Sequence, residues 1–496
     1  MKNTLPFGLN EIFPNLAWAG ALAVAAIAFL GAQPAHAAGN GTWNVNADGS
    51  WVTAGDPPWL SSVVPGATSG TTSTDTATFG FTLNATRTVT VDANRNIGGI
   101  TFSNTSAFGY TLSGGNLLLS NGGVIQMLSS AGSHSENINS PITIEGDGGA
   151  ASFIDNAPSS GRFIVNGTIK GVSTPGNTTT LTLDGTNTVA GETITGIISD
   201  GAGGGKLAVV KNGAGQWRLN GHNSFSGGVT LNAGILGFKV YDAFGTGTLT
   251  VNGGELGAVN TTVSATVANK IVVGGNFSTT QGGASGTVAN NLTFSGSMDL
   301  GGATRTITTG AMGTYTGGTN ILAFSGVISN GGLIKDGAGA LTLSGNNTYT
   351  GDTTVTLGTL VLAAGSQTSF DIGAIGTNNK ILGTAGGSEG INLNGNFVFN
   401  LTGAGTGLGN NWNIVDMMNF TPTYGGTFGV VGFTDNLDNT WSKLNGGITY
   451  TFSEGTGSLS VTAIPEPSTL AFLAISLSVV VCARLLRCRG RSGIRE

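Results

Sequence analysis

Apolar and polar residues alternate in short runs along most of the chain, and turns rich in glycine or asparagine separate the runs. In residues 341–344 two leucines alternate with a threonine and a serine, which is the period of a β-strand with one buried face. Residues 345–347, Gly-Asn-Asn, form a predicted turn, because both residue types adopt positive φ at little cost. The pattern predicts an all-β chain of many short strands.

Two segments of the chain are copies of one repeat. Residues 211–236 and 335–360 align without a gap over 26 positions, of which 11 are identical. The shared positions include a K-x-G-A-G start, an L-x-G-x-N centre and a G-x-L end. A similar strand precedes each copy, at residues 196–200 and 326–330. Self-similarity of this kind indicates a repeat architecture.

The two copies resemble the autotransporter-associated β-strand repeat, which occurs in passenger regions of secreted bacterial proteins. The resemblance implies a passenger-like β-helix and says little about activity. A single coil cannot bury its apolar face, so coils are expected to stack at about 4.8 Å. We therefore predict a right-handed parallel β-helix over residues 38–395, with roughly 20 to 25 residues per turn. Asn and Thr at matching turn positions are expected to form ladders between coils.

Both ends of such a solenoid need a cap, because an open sheet edge pairs with other chains. Trp43, Trp51 and Trp59 lie in residues 41–60, which we predict to be the N-terminal cap. Residues 396–463 lose the repeat pattern and gain tryptophan and tyrosine. We predict an antiparallel β cap there, with a small separate β domain as the alternative.

Composition supports an elongated array. The chain has 86 glycines among 496 residues, only 9% charged residues and a net charge of −6. No basic residues cluster in the body, which argues against nucleic acid as a partner. The two cysteines are Cys482 and Cys488, so the body contains neither disulfides nor thiolate metal sites.

The N-terminal 37 residues have the pattern of a signal peptide. An apolar stretch follows Lys2, and Ala35-His36-Ala37 supplies a small-x-small cleavage site. We predict cleavage by signal peptidase after Ala37. An uncleaved membrane anchor is the alternative.

The C-terminal residues 464–496 combine a motif, an apolar stretch and a basic end. Pro465, Glu466 and Pro467 precede an apolar stretch at residues 469–483, and a basic end at 484–495 contains Arg484 and Arg487. The stretch is long enough for a short transmembrane helix, and the arginines favour a cytoplasmic C-terminus. This order resembles the PEP-CTERM sorting signal, which implies processing by an exosortase-like enzyme after transient anchoring in the inner membrane. A tail anchor that is never cut is the alternative.

The body offers little that resembles a catalytic or metal site. Its acidic residues are isolated, and the closest pair, Glu145 and Asp147, is expected to be solvated in a turn, with calcium binding as the alternative. His134 and His222 are also expected in solvated turns, and nothing has a metal-ligand spacing. Lys211 and Lys335 occupy matching repeat positions, where a structural turn role explains both. We therefore predict no catalytic, cofactor-binding or metal-binding residues.

These observations predict an exported, non-enzymatic protein of the cell surface or extracellular matrix, with a structural or adhesive role. Its polar coil surfaces are suited to many weak hydrogen bonds with an exopolysaccharide. The alternative is a β-helix polysaccharide lyase or hydrolase, which needs carboxylates from distant coils to meet in one groove.

Overall fold

The computed structural model describes residues 39–463, apart from residues 53–57, 159, 189–190, 259–264, 281–291, 311–321 and 385–388. The predicted signal peptide at residues 1–37 lies outside the described residues. So does the predicted sorting tail at 464–496, with its transmembrane helix. Both therefore stay predictions.

Short strands make up the described chain. The first are β1 Gly41–Thr42, β2 Gly49–Ser50, β3 Thr76–Phe79, β4 Arg87–Val91, β5 Arg95–Phe102, β6 Tyr110–Gly114, β7 Leu117–Met127, β8 Ser135–Ile138, β9 Ile142–Ile144, β10 Ala150–Asp155, β11 Arg162–Val165, β12 Ile169–Gly171, β13 Thr178–Gly185 and β14 Thr193–Ile194. A short 3₁₀ turn lies at Leu60–Ser62.

The middle of the chain continues in the same way. Its strands are β15 Ile198–Ser199, β16 Lys206–Lys211, β17 Gln216–Leu219, β18 Val229–Leu231, β19 Ile235–Phe238, β20 Leu249–Val251, β21 Glu255–Ala258, β22 Ala265–Val267, β23 Ile271–Val273, β24 Phe277–Thr280, β25 Leu292–Phe294, β26 Met298–Thr309, β27 Leu322–Phe324 and β28 Ile328–Asp336.

The last strands complete the fold. They are β29 Ala340–Leu343, β30 Asn346–Asn347, β31 Thr353–Val355, β32 Thr359–Leu362, β33 Gln367–Asp371, β34 Ile381–Gly383, β35 Gly390–Leu393, β36 Asn396–Asn400, β37 Asn411–Asn413, β38 Thr423–Tyr424, β39 Gly429–Val430, β40 Thr434–Asp435, β41 Thr440–Asn445, β42 Ile448–Ser453 and β43 Ser458–Ala463.

Strands pair in parallel with strands one coil earlier and one coil later. Strand β13 lies between β10 and β16, so that Leu183 is opposite both Phe153 and Lys211. Pairing of this kind joins the described strands into parallel sheets of 27, seven and four strands. The prediction of an all-β chain with parallel sheets is confirmed, and the stacking of coil upon coil is that of a β-solenoid.

The coils differ in length. Equivalent asparagines in neighbouring coils are 20 residues apart between Asn212 and Asn232, but 27 apart between Asn139 and Asn166. Some coils are therefore longer than the predicted 20 to 25 residues. Most strands remain short, so the additional residues lie between strands, where a coil can lengthen without disturbing the ladder.

Inward side chains form one continuous apolar core. Strand β13 alternates buried and half-buried positions, with Leu181 and Leu183 directed inward. Aromatic rings also stack from coil to coil, and the Phe79 and Phe102 ring centroids are 5.5 Å apart. The core extends without a break from Trp43 to Val461.

Three tryptophans close the N-terminal end. Trp43, Trp51 and Trp59 are fully or almost fully buried, and all three rings contact Phe79. The Trp51 indole N–H donates to the Pro65 carbonyl at 3.0 Å, and that of Trp59 donates to the Trp51 carbonyl at 2.7 Å. Each buried ring therefore has its polar group satisfied, as a cap over an apolar core requires.

An antiparallel sheet closes the C-terminal end. Its strand order is β37-β43-β42-β41-β40, and Phe452 of β42 packs against Phe397 of the solenoid at 5.6 Å. Parallel pairing extends beyond residue 395, the predicted end of the solenoid, because β36 pairs with both β33 and β39. The first strand of the antiparallel sheet, β37, begins at Asn411. It precedes β38 and β39, which still pair in parallel with the solenoid, and the other four cap strands follow them.

Across the described part of the chain, no helix has the length and apolar character needed to cross a membrane.

Replacing Trp51 with alanine is expected to destabilise the protein by about 3–5 kcal/mol, because the change removes a buried ring and opens a cavity above Phe79. Urea unfolding followed by intrinsic fluorescence measures this loss. The matched control is Leu60→Ala, since Leu60 lies nearby with 53% of its surface exposed. Equal unfolding midpoints for the two variants would contradict the role of Trp51 as a cap.

Candidate functional site

The predicted processing residues do not lie in the described structure. Ala35 and Ala37 precede residue 39, and Pro465, Glu466, Pro467, Arg484 and Arg487 follow residue 463. The predictions made for these residues stay predictions, and the described residues bear on the body alone.

The matching lysines of the two repeats are buried inside the coil. Lys211 and Lys335 are 0% exposed. Each ammonium group bends into the turn that follows its own strand and donates to backbone carbonyls. Lys335 Nζ donates to Asp336 at 3.0 Å, to Gly337 at 2.6 Å and to Leu357 of the next coil at 2.8 Å.

Lys211 makes the equivalent bonds. Its Nζ donates to the carbonyls of Asn212, of Gly213 at 2.9 Å and of Ala233 in the next coil at 3.2 Å. An ammonium group has three N–H donors, so three acceptors satisfy it completely. Burial lowers the pKa of both lysines to about 8. The charge of Asp184 partly offsets this effect at Lys211, and the charge of Asp336 does so at Lys335. The side chains therefore stay cationic at neutral pH and join adjacent coils.

A second matching pair also joins coils. Asn223 and Asn347 are buried, and their Oδ1 atoms accept the backbone N–H groups of Ile198 at 2.8 Å and Ile328 at 3.0 Å. The turn role predicted for the lysines agrees with these contacts, but sequence reasoning assigned no role to the asparagines. The sequence does show that both asparagines occupy the last position of the L-x-G-x-N centre, and this match could have indicated a shared structural role.

Several acidic side chains lie on the outer turns and bond to the next coil. Asp147 accepts from Thr174 Oγ1 at 2.8 Å and from Asn177 Nδ2 at 2.9 Å. The Thr174 backbone N–H also donates to Asp147, at 2.9 Å, and this bond, followed by the two side-chain bonds, lowers the pKa of Asp147. Glu145, which was predicted to be solvated beside it, is instead mostly buried, and burial raises its pKa. The two carboxylates thus face different environments.

Asparagine ladders run between coils, as expected. Asn232 Nδ2 donates to Asn212 Oδ1 at 2.8 Å, and Asn252 Nδ2 donates to Asn232 Oδ1 at 2.8 Å. Asn330 similarly donates to Asp299 at 2.9 Å. The described residues contain no group of three or more His, Cys, Asp or Glu side chains that could hold a metal ion.

His134 is not solvated, contrary to the expectation from its polar turn. It lies buried with Nε2 at 2.7 Å from Glu136 Oε1, while Nδ1 lies 2.8 Å from the Ser106 carbonyl. Asn104 Nδ2 and the Tyr110 backbone N–H also donate to Glu136, at 2.7 and 2.6 Å. Burial lowers the pKa of His134, but the hydrogen bond and charge of Glu136 outweigh it and raise the pKa.

His222 is exposed and lies in a row of exposed residues at one corner of the solenoid. Residues 168, 197, 222 and 241 lie in line on successive coils, because Ile169 pairs with Ile198, the Ser224 N–H donates to the Ile198 carbonyl, and the His222 and Tyr241 rings are in contact. Pro141 precedes them through the pairing of β9 with β12. We call Pro141, Thr168, Ile197, His222 and Tyr241 the corner row.

The corner row presents apolar and aromatic surface. Tyr241 is 60% exposed and Ile197 is 46% exposed. The His222 and Tyr241 rings meet edge to face at 5.8 Å. Asp242 accepts from His222 Nδ1 at 2.8 Å, which holds the imidazole beside the tyrosine ring. From Thr168 to Tyr241 the row extends about 14 Å at strand spacing.

A polar ladder runs beside the corner row. Asn166 Nδ2 donates to Asn139 Oδ1 at 2.8 Å, and Thr195 Oγ1 donates to Asn166 Oδ1 at 2.5 Å. These residues lie two positions before the corner row on the same coils, and all three are exposed. The corner therefore combines ring and aliphatic surface with amide and hydroxyl groups. Sequence reasoning missed this surface, because it depends on the register between coils.

The comparisons with known proteins concern the repeats and about half of the chain. A family model described as a passenger-associated-transport-repeat matches residues 209–237 and 333–362. These segments contain both buried lysines and both buried asparagines. The finding supports the resemblance of the two copies to autotransporter-associated β-strand repeats.

A curated relative also aligns with the chain. The adhesin BmaC autotransporter of Brucella suis biovar 1 (strain 1330) is 34% identical over 243 residues. The alignment covers 45% of this chain and 6% of that protein, so the chain spans a small part of the relative's length. No solved structure matches the chain.

Replacing Lys211 with methionine is expected to destabilise the protein by about 1–3 kcal/mol, because the carbonyls that it binds lose their donor inside the coil. The unfolding midpoint in urea measures the effect. Lys206→Met is the matched control, since Lys206 lies on the same strand with its side chain exposed. A Lys211→Met variant as stable as the control would show that the ammonium group contributes nothing to the joining of coils.

Proposed function

We propose that this chain is an exported, surface-displayed passenger of the adhesin type, which contacts extracellular polysaccharide through the outer corners of its coils. The match of its repeats to passenger repeats supports export and display. The name of the aligned relative, an autotransporter adhesin, supports an adhesive and non-enzymatic role. The observation that carries the polysaccharide contact is the corner row.

The chemistry of the corner row suits a neutral sugar chain. The C–H face of a pyranose packs on an aromatic ring such as Tyr241, whose face is electron-rich. Hydroxyl groups of the same sugar can bond to the amides and hydroxyls of the neighbouring ladder. Individual contacts of this kind are weak, but coils repeat them at about 4.8 Å, and a polymer that engages several at once gains from multivalency.

Tyr241→Ala is expected to weaken binding of the protein to exopolysaccharide from its own producer roughly two- to tenfold, because one lost aromatic contact is worth about 0.5–1.5 kcal/mol. Co-sedimentation or biolayer interferometry with the isolated polymer measures the affinity. Tyr241→Phe is the matched control, because it retains the ring and should bind like the unchanged protein. If Tyr241→Ala binds as well as Tyr241→Phe, or if the unchanged protein binds no polymer, the polysaccharide role is wrong.

The proposal includes processing at both ends of the chain. Signal peptidase is proposed to cut after Ala37, and an exosortase-like enzyme near Pro465-Glu466-Pro467. The apolar stretch and the arginines would hold the chain at the inner membrane until the second cut. The support for this step is the order of motif, apolar stretch and basic residues in the sequence.

Mass spectrometry of the exported protein is expected to detect no peptide from beyond Pro467. A Glu466→Ala variant, which disrupts the motif and leaves the apolar stretch intact, should retain those peptides and stay in the membrane fraction. Detection of residues beyond Pro467 on the unaltered protein outside the cell would rule out the processing step. The body itself would remain available for the polysaccharide test.

A further inference from the structure

Two carboxyl groups from neighbouring coils meet inside the solenoid. Asp155 ends strand β10, and Glu192 immediately precedes β14. Both residues are 0% exposed, and Asn187 contacts both of them: its side chain donates to Glu192 Oε1 at 2.7 Å, and its backbone N–H donates to the Asp155 carbonyl at 3.2 Å. Since a carboxylate has only acceptor atoms, neither carboxyl group can donate to the other when both are ionised.

The donors around the pair leave one oxygen of each carboxyl group without a partner. Asp155 Oδ1 accepts the Ala157 backbone N–H at 2.8 Å, and Glu192 Oε1 accepts from Asn187 Nδ2 at 2.7 Å. Asp155 Oδ2 and Glu192 Oε2 are buried and receive no hydrogen bond from an N–H or O–H donor. A proton on one carboxyl group would supply the missing donor, because its O–H could bond to the free oxygen of the other group.

We propose that Asp155 and Glu192 share one proton in the folded protein, and that this pair is an acid-stabilised latch between neighbouring coils. Loss of the proton would leave two negative charges together in the protein interior, where neither is solvated. The latch therefore holds at low pH and weakens as the pH rises.

The charged groups around the pair are the guanidinium groups of two arginines. Arg218, from β17 on the next coil, attracts Glu192, while Arg162 of β11 repels Arg218. Burial raises the pKa of Asp155, and burial together with the charge of Asp155 raises that of Glu192 despite Arg218. The pair is too deeply buried to receive a polysaccharide, so it does not revive the hydrolase alternative.

The direction of the pH effect follows from proton counting. In the unfolded chain both carboxyl groups ionise at about pH 4, whereas the folded pair keeps a proton above that pH. The folded state then binds one proton more than the unfolded state, so stability falls as pH rises. If the folded state retains one proton that the opened state releases, the equilibrium constant for local opening of this junction increases tenfold per pH unit.

Hydrogen exchange tests the latch locally, in the full chain. The backbone N–H groups of Thr186 and Asn187 donate to the Asp155 carbonyl at 3.0 and 3.2 Å, so their protection reports opening at this junction. After correction for intrinsic exchange, protection in the unchanged protein should fall up to tenfold per pH unit between pH 5 and 8. In Glu192→Gln an amide N–H replaces the shared proton, and the fall should disappear.

Asp435→Asn, which alters an exposed carboxylate of β40, is the control and should retain the pH dependence of the unchanged protein. Infrared spectroscopy supplies a second readout, because a protonated carboxyl band at pH 7 should be lost in Glu192→Gln and in Asp155→Asn. If one of these variants fails to fold, the other still decides the question. Equal pH dependence in the unchanged protein and the folded variant, or no loss of the band, would overturn the proposal.

Discussion

Strands of the solenoid satisfy their backbone N–H and C=O groups through the coils before and after them, and the remaining structure depends on this constraint. Because buried backbone groups must be paired, a coil that moved relative to its neighbours would lose a row of hydrogen bonds. The inward side chains are therefore fixed in register, as where Leu183 lies between Phe153 and Lys211. The tryptophan cap and the antiparallel sheet follow from the same constraint, since the terminal coils have a neighbour on one side only.

Where a corner interrupts the ladder of backbone hydrogen bonds, buried polar side chains supply the missing partners. A turn leaves carbonyl groups that no strand can pair, and Lys211 and Lys335 donate to them from inside the coil. Asn223 and Asn347 perform the complementary task by accepting N–H groups of the preceding coil. The two repeats thus differ in apolar detail but keep the side chains that connect one coil to the next. The body contains no cysteine, so these hydrogen bonds, and not disulfides, connect its coils.

The same geometry separates stability from recognition. Side chains in the interior must fill the core, so their size and polarity are restricted. Residues at the corners can differ in number and type, because a turn can lengthen without disturbing the ladder. The corner row and the adjacent polar ladder show how a register set by the interior aligns surface residues that are distant in sequence. The proposed adhesive role needs this kind of surface, on which weak contacts repeat from coil to coil. The buried Asp155–Glu192 pair, by contrast, links the joining of coils to the acidity of the surroundings.

The sequence by itself determined the all-β class, the repeat and the turn role of the matching lysines, because alternation and glycine placement are local properties. It also indicated the tryptophan cap. Only the tertiary structure decided that His134 and Glu145 are buried, that Ile197, His222 and Tyr241 align, and that Asp155 meets Glu192. Each of these depends on which residues lie opposite one another in adjacent coils. Paired residues in adjacent coils lie from 19 to 40 positions apart in the sequence, so no fixed period in the sequence reveals the pairs. The physical reason is that turns absorb extra residues at little cost while the ladder sets the register.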